Sequence, residues 1–427
     1  MPLPDSTDWL MTTSVKLLHT SDWHLGHELF NHSREAEHEA FLAWLLDALE
    51  EHDVDVLLVT GDIYDVANPP VSAQQQLYRF VARARARMER LQIVMIGGNH
   101  DSALRIDLPG ALVDERVRFL GALPRRMGEN GREPDCERIC IPLSNDEGEV
   151  AAWLAAVPYC RPGDLGCGGL AELYACVSEA AAAKAGPLPL VLTGHLHVAG
   201  GAVSELSERR IVIGGEEAEA TSLFDARAAY VALGHLHRPQ TIGAAVPIRY
   251  AGSPFPLSAS ERTYRHSVTL VTLDPAGAEI EEVPIPRPVA FQRVPEAGPA
   301  PLAEVLAELG RLEEDAGADQ AFWPFVKIDV LVDRPEPDLN ARILSALEGR
   351  KLRLAGIQRH SPMAVATGAT GPREQELGSL KPDGIFAELH RQCFGTAPDT
   401  ALERGFAELL LAAHSMDADG EPEQEVA

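Results

Sequence analysis

Five short clusters of potential metal ligands recur in the first 240 residues, each just after an apolar run. They read Asp22-Trp23-His24, Gly61-Asp62-Ile63-Tyr64-Asp65, Gly98-Asn99-His100-Asp101, Gly194-His195-Leu196-His197 and Gly234-His235-Leu236-His237. The donors are carboxylate, amide oxygen and imidazole, without thiolate, a set that suits Mn²⁺, Fe²⁺, Mg²⁺ or Zn²⁺, with Mn²⁺ preferred. Together they supply enough ligands for two ions. Two ions about 3.5–4 Å apart can share a carboxylate and a water, and so stabilise both the attacking and the leaving oxygen at phosphorus. The chemistry indicated is hydrolysis of a phosphate ester. Asp62, in the middle of the set, is the natural bridging carboxylate. His100 directly follows a ligand and is placed to face the scissile phosphate, where it could stabilise the transition state or protonate the leaving oxygen.

Each cluster alone has a blander explanation. Asp22 and His24 could be a cap or a surface pair, and Gly-Asp at a strand end is commonly only a turn. A single Gly-His-x-His could be a packed histidine pair; two copies about 40 residues apart, each closing a strand, are hard to explain as packing. Residues i and i+2 of an extended segment point the same way, so Asp22 and His24 can meet one ion if the chain stays extended beyond its strand. His197 would be one imidazole too many and is read as a supporting or structural residue. Asp65 is read as a supporting or substrate-facing group, and Asp101 is grouped with it. His19, His27, His32, His38 and His52 are read as surface or packing residues.

The elements that must position these clusters follow from the apolar patterning. Val15–Thr20, Val54–Thr60 and Gln92–Ile96 read as strands, the second apolar on both faces as a covered parallel strand should be. Residues 33–51 and a segment from Ser72 to about Arg90 read as the intervening helices. This β-α-β-α-β order predicts parallel strands whose carboxyl ends carry the clusters. Strands are expected again at Leu188–Thr193, Ile211–Ile213, Ala229–Leu233, Ile248–Ala251 and Val268–Leu273, with a helix over 169–185. The fold class is α/β: a two-sheet sandwich flanked by helices. Pro284, Pro286 and Pro288 mark a boundary. Beyond it, residues 286–360 read β-α-β-α-β, as a small α+β domain, from strand Val289–Val294 through helices Leu302–Glu313 and Leu339–Leu347 to strand Leu352–Gln358. A linker is expected over 361–379, a pair of amphipathic helices over 380–415, and an acidic disordered tail over 416–427.

The chain has 427 residues, 45% of them hydrophobic, enough for several globular domains. Residues 1–14 read as an extension without a secretory signal, and no apolar run approaches the length of a membrane span. Six cysteines without a CxxC pair read as reduced thiols, and the chain reads as cytoplasmic. A net charge of −27 argues against a free-standing nucleic-acid binder. It does not exclude a metal-dependent phosphodiesterase, because bound cations reverse the local charge and a partner can supply a DNA-holding surface.

The five clusters in this order resemble the calcineurin-like metallophosphoesterases. The segments 19–26 (HTSDWHLG), 33–38 (SREAEH), 61–65 (GDIYD) with Pro69-Pro70, 97–102 (GGNHDS), 232–238 (ALGHLHR) and 252–258 (GSPFPLS) are more specific, and resemble the SbcD family of bacterial nuclease subunits. The resemblance spans nearly the whole chain. It implies that Asp22, His24, Asp62 and His237 hold one metal, that Asp62, Asn99, His195 and His235 hold the other, and that His100 is the catalytic histidine. It further implies that residues 286–360 form a DNA-contacting cap and that the 380–415 helices dock on an SbcC-type ATPase subunit. The expected organisation is a homodimer within a heterotetramer. The implied activity is 3′→5′ exonuclease cutting of double-stranded DNA ends and endonuclease cutting of single strands and hairpins, in DNA repair, recombination and replication. The extension, the tail and His197 have no counterpart in that assignment. Two other functions fit the clusters: a small-molecule phosphodiesterase or phosphatase on the same fold, which would need neither the second domain nor the helix pair, and a non-catalytic scaffold, which should lack ligands where this chain lacks none.

Overall fold

The computed structural model describes residues 13–128, 131–165, 168–203, 218–312, 317–333 and 336–360, together with His390 and Leu402. The expected strand at 211–213, the linker, the helix pair and the acidic tail lie outside the described residues, those two positions apart. Two compact units divide the chain, Met1–His360 and Ser361–Ala427.

Two six-stranded sheets form the body of the first unit. One runs in the order Gly277–Pro284, Ser267–Asp274, Val15–Thr20, Val56–Thr60, Gln92–Ile96, Val117–Leu120. Its last four strands are parallel, as the β-α-β reading requires, and the strand Ser267–Asp274 joins Val15–Thr20 antiparallel. The other runs Gln240–Ile242, Ile248–Tyr250, Ala228–Gly234, Leu190–His195, Val150–Ala155, Cys140–Ser144, with the four middle strands parallel. The sheets face each other across a shared core that includes Leu17, Val56, Leu58, Val94 and Ile96 from the first and Leu154, Val191, Tyr230 and Ala232 from the second. Strands buried on both faces need apolar residues at every position, and Val56–Thr60 is buried throughout. The outer faces are covered by helices. Glu35–Glu51 buries Phe41, Leu42, Leu45, Leu46 and Leu49, and it packs with Val71–Arg87 on the first sheet. Gly169–Ala185 covers the second.

A third, smaller sheet follows. Phe325–Leu331 pairs in parallel with Phe291–Val294, Ala300–Pro301 and Arg353–His360, and the helices Leu302–Leu309 and Leu339–Leu347 complete its own core around Val294, Val326, Ile328 and Val330. Its other face is tied to the main body by a small cluster of Leu29, Val289, Phe325 and Ala355.

Candidate metal centre

All five clusters converge at the carboxyl ends of parallel strands, drawn from both sheets. Asp22 and His24 follow Val15–Thr20, Asp62 follows Val56–Thr60, and Asn99 and His100 follow Gln92–Ile96. His195 closes Leu190–His195, while His235 and His237 follow Ala228–Gly234. Donor atoms of Asp22, His24 and His237 lie within 4.8 Å of one another, and so do those of His24, Asp62 and His100, and of Asp22, Asp62 and His195. Asn99 Oδ1 lies 2.9 Å from His195 Nε2 and 3.1 Å from His235 Nδ1. Asp62 stands between the two sets, its Oδ2 3.6 Å from His24 Nε2 and 3.3 Å from His195 Nε2.

Asp22 and His24 do not converge along an extended segment. Asp22 sits at φ +52° and His24 at φ +47°, so the chain turns as soon as the strand ends. The turn is held by the neighbouring loop: Asp22 N–H donates to Gly61 O at 3.1 Å, and His24 N–H to Asp62 O at 3.0 Å. Asp62 and His235 also have positive φ, +47° and +101°. Four non-glycine residues of one site in a sparsely populated region are backbone strain that only surrounding contacts can hold, and such strain clusters at functional sites. Close approach explains two of the glycines. A Cβ on Gly98 would collide with the Asp62 carboxylate, and one on Gly61, itself at φ +95°, with the His195 ring.

Hydrogen bonds decide which nitrogen each imidazole presents. A carbonyl only accepts, so His195 Nδ1–H donates to Thr60 O at 2.8 Å and turns Nε2 toward Asp62. His100 Nδ1–H donates to Asp65 O at 2.7 Å, and the ring lines the cavity over the site. His237 Nδ1 lies 2.9 Å from Glu261 Oε1, a fully buried carboxylate that also accepts from Leu257 N–H at 2.8 Å. Asp101 is buried and accepts from the backbone N–H groups of Ile63, Tyr64 and Gly98, so it staples the Asp62 loop to the Asn99 loop. Burial, and then the Asp62 charge, push its carboxyl up to about 6. Burial would raise Asp62 too, but His195, His24 and His100 hold it well below the usual carboxylate range. Asp65 Oδ1 lies 3.3 Å from His24 Nδ1. His197 is half-buried and falls in none of the donor clusters among the described residues.

Two residues of the site carry no signal in the sequence. Glu261 lies nine residues beyond Gly252, where a lone Glu in a Ser-rich turn gives no sign of burial. His27 is not the surface or packing residue expected of it: it lines the cavity over the site together with His24, Asp65, His100 and His237. His19 and His38 are packing residues: His19 bonds Thr60 and Tyr230, and His38 bonds the carbonyl of Trp23.

The donor set fits divalent cations. Both ring nitrogens of His24 are buried without a hydrogen bond, although carboxylates stand close by. A buried polar atom left so is costly unless something else meets it, and a cation between His24 and Asp62 would do so.

This two-sheet sandwich, with its carboxylate, amide and imidazole donors at the strand ends, defines a metallophosphoesterase. Residues 15–239 match the calcineurin-like phosphoesterase family, and residues 287–393 match the type 5 capsule protein repressor C-terminal domain. The chain is 43% identical over 388 residues to the SbcD subunit of the SbcCD nuclease of Rhodobacter capsulatus, covering 87% of this chain and 94% of that one. It is 31% identical to the same subunit of Escherichia coli K12 (87% and 92% covered) and 30% identical to that of Bacillus subtilis (95% and 100% covered). The chain belongs to the SbcD family of metal-dependent nuclease subunits.

Proposed function

We propose that the chain is a two-metal DNA phosphodiesterase, the nuclease subunit of an SbcCD-type complex. On this reading it cuts double-stranded ends as a 3′→5′ exonuclease and single strands and hairpins as an endonuclease. The observation that carries the reading is the placement of Asp62 between two donor sets, Asp22–His24–His237 and Asn99–His195–His235. Two divalent ions held there, Mn²⁺ by preference, would supply Lewis-acid activation of water and of the phosphoryl oxygens. The protein's own part is positional. Asp62 would be shared between the two ions, and Asn99 Oδ1 and His195 Nε2, 2.9 Å apart, would be ligands of the same one. His100, fixed by its bond to Asp65 O, offers Nε2 to the phosphate or to the leaving oxygen. Asp65 steadies both His24 and His100 from behind.

The C-terminal residues 380–415 are assigned to docking on an SbcC-type ATPase. Pairing with a second copy has its own support. Leu104, Leu108 and Leu112 recur at four-residue spacing and are 82%, 71% and 89% exposed. Leu108 and Leu112 line a largely apolar groove of about 590 Å³ together with Tyr78, Val81, Pro109, Val113 and Phe119. A contiguous apolar face of this kind on a strongly acidic chain suits a self-complementary twofold contact.

The test is cutting of labelled hairpin and single-stranded DNA with Mn²⁺, with Mg²⁺ and with EDTA, beside His100→Gln. Cutting should need the metal and fall by about 10²–10⁴-fold in the variant, with Mn²⁺ binding retained. Cutting that survives EDTA would refute the metal centre. Loss of Mn²⁺ binding in His100→Gln would refute the role given to His100.

A further inference from the structure

The SREAEH segment is absorbed by none of the chemistry above, yet it supplies a heavily charged buried contact outside the site. Arg34, Glu37 and Arg353 are 1%, 1% and 3% exposed. Arg34 binds Glu37 in bidentate fashion, Nη2 to Oε1 at 2.8 Å and Nε to Oε2. Arg353 Nη2 lies 3.7 Å from Glu37 Oε2 and makes no hydrogen bond, while its Nε donates to Trp323 O at 2.8 Å. The Phe325 ring is in contact with both cations: the Arg353 guanidinium lies 3.8 Å from its centroid, and that of Arg34 lies 5.0 Å from it. Arg34 also stands over Phe255, at 4.7 Å, and donates to Pro256 O at 3.0 Å. Arg34, Glu37 and Phe255 belong to the main body, and Phe325 and Arg353 are cross-strand partners in the small sheet.

Such a triad is a poor way to gain stability. Two guanidiniums and one carboxylate lose their hydration on burial, and apolar replacements of similar size are often as stable. What a stacked, bidentate arginine does supply is one fixed geometry. The parts fixed here are the walls of the cavity over the site, a space of about 440 Å³. Phe325 is two residues from Lys327, and Arg353 is two from Ala355, so each pair shares a face of its strand. Lys327, Ala355, Gly356, Ile357 and Gln358 form one wall. Leu257, Ser258 and Ala259, just past the Pro256 carbonyl, line the same cavity from the main body. Lys327 is the one lysine or arginine lining this cavity among the described residues, and Asp329 lies 3.9 Å from its ammonium.

We propose that Arg34, Glu37, Arg353 and Phe325 are positioning residues that lock the small sheet over the metal centre and so present Lys327 to a phosphate of a polynucleotide substrate. The inference rests on the polynucleotide reading above. It predicts that the lock matters for long substrates and is irrelevant to a small diester that fills only the space beside His100.

The test compares the full-length, Mn²⁺-loaded chain with Arg353→Met, Arg353→Lys and Lys327→Gln on a single-stranded oligonucleotide and on bis-p-nitrophenyl phosphate. Arg353→Met should raise the oligonucleotide KM about tenfold, with less change in kcat, and leave small-diester hydrolysis unchanged. Arg353→Lys should not rescue, lacking the planar guanidinium that stacks on Phe325. Adding Lys327→Gln to Arg353→Met should raise KM no further, because both changes remove one contact. Parallel loss on both substrates would mark the triad as merely structural and overturn the proposal. An unchanged oligonucleotide KM or an additive double variant would overturn it too. Were the unsubstituted chain to hydrolyse the small diester and leave the oligonucleotide uncut, this proposal would fail while the metal centre stood. Hydrolysis of neither would remove the metal-centre reading along with it.

Discussion

His237 can offer one nitrogen to the cluster because Glu261 engages the other at 2.9 Å. A carboxylate behind a ligating imidazole fixes ring orientation and raises basicity, and its loss typically costs about 10–100-fold in metal affinity. Glu261→Gln should therefore weaken Mn²⁺ binding by about 10-fold or more while the protein stays folded, as titration followed by calorimetry and circular dichroism would show. Unaltered affinity would mean that Glu261 only braces its own loop, through Leu257 N–H. The same logic separates the two acids beside the ligands. Asp101 is buried under three backbone N–H groups and shapes the loops, whereas Asp65 lines the cavity and holds two histidines in place.

At the scale of elements, a parallel strand delivers its functional residue by ending, and the backbone beyond that end must turn sharply. That is why positive φ gathers at Asp22, His24, Asp62 and His235. The Ala103–Asp107 helix and the Leu108–Ala111 turn follow directly on the Asn99–Asp101 loop, so a twofold contact through Leu104, Leu108 and Leu112 would set two metal centres on one assembly. Leu108→Asp combined with Leu112→Asp should raise the dimer dissociation constant about 100-fold or more, because a charge replaces a central apolar anchor. Analytical ultracentrifugation would read this directly. A doubly substituted chain that sediments like the unsubstituted one would assign the patch to something other than a second copy.

For the molecule as a whole, buried neutral histidines set a limit on acid stability. Burial above all pushes His19 and His38 down to about 3 and His266 to about 4. Unfolded, each would titrate near about 6.5. Below that pH the unfolded chain takes up protons that the folded chain refuses, so the stability these groups permit is complete above about 6.5 and declines as pH falls toward 4. At pH 5 the loss is at most about 2 kcal/mol for each histidine. The urea midpoint of chelator-treated protein should therefore be clearly lower at pH 5 than at pH 7.5, and equal midpoints would contradict the argument. The assembly makes a separate demand. Deleting residues 380–427 should abolish capture by an SbcC-type ATPase and spare Mn²⁺-dependent nicking of single strands, which pull-down and nicking assays on one preparation would test. Retained capture would move the docking site elsewhere.

Apolar patterning by itself determined the parallel strands at 15–20, 56–60 and 92–96 and the helices between them, and residue types marked the five polar clusters, while edge strands such as Cys140–Ser144 and Gly277–Pro284 emerged only in the fold. A covered parallel strand must be apolar throughout, and metal donors must follow where it stops. The placement of the candidate donors was legible for the same reason, since Asp62, Asn99, His195 and their neighbours each sit at or just past such an end. Spacing alone misjudged how Asp22 and His24 meet, because an i, i+2 pair in the sequence does not reveal the left-handed turn imposed by the Gly61–Asp62 loop. Only the tertiary structure decided that Glu261 stands behind His237, that His27 faces the cavity, and that Arg34 stacks on a phenylalanine 291 residues away. Those contacts join segments distant in sequence, and their chemistry is buried charge, which no local pattern of apolar and polar residues encodes.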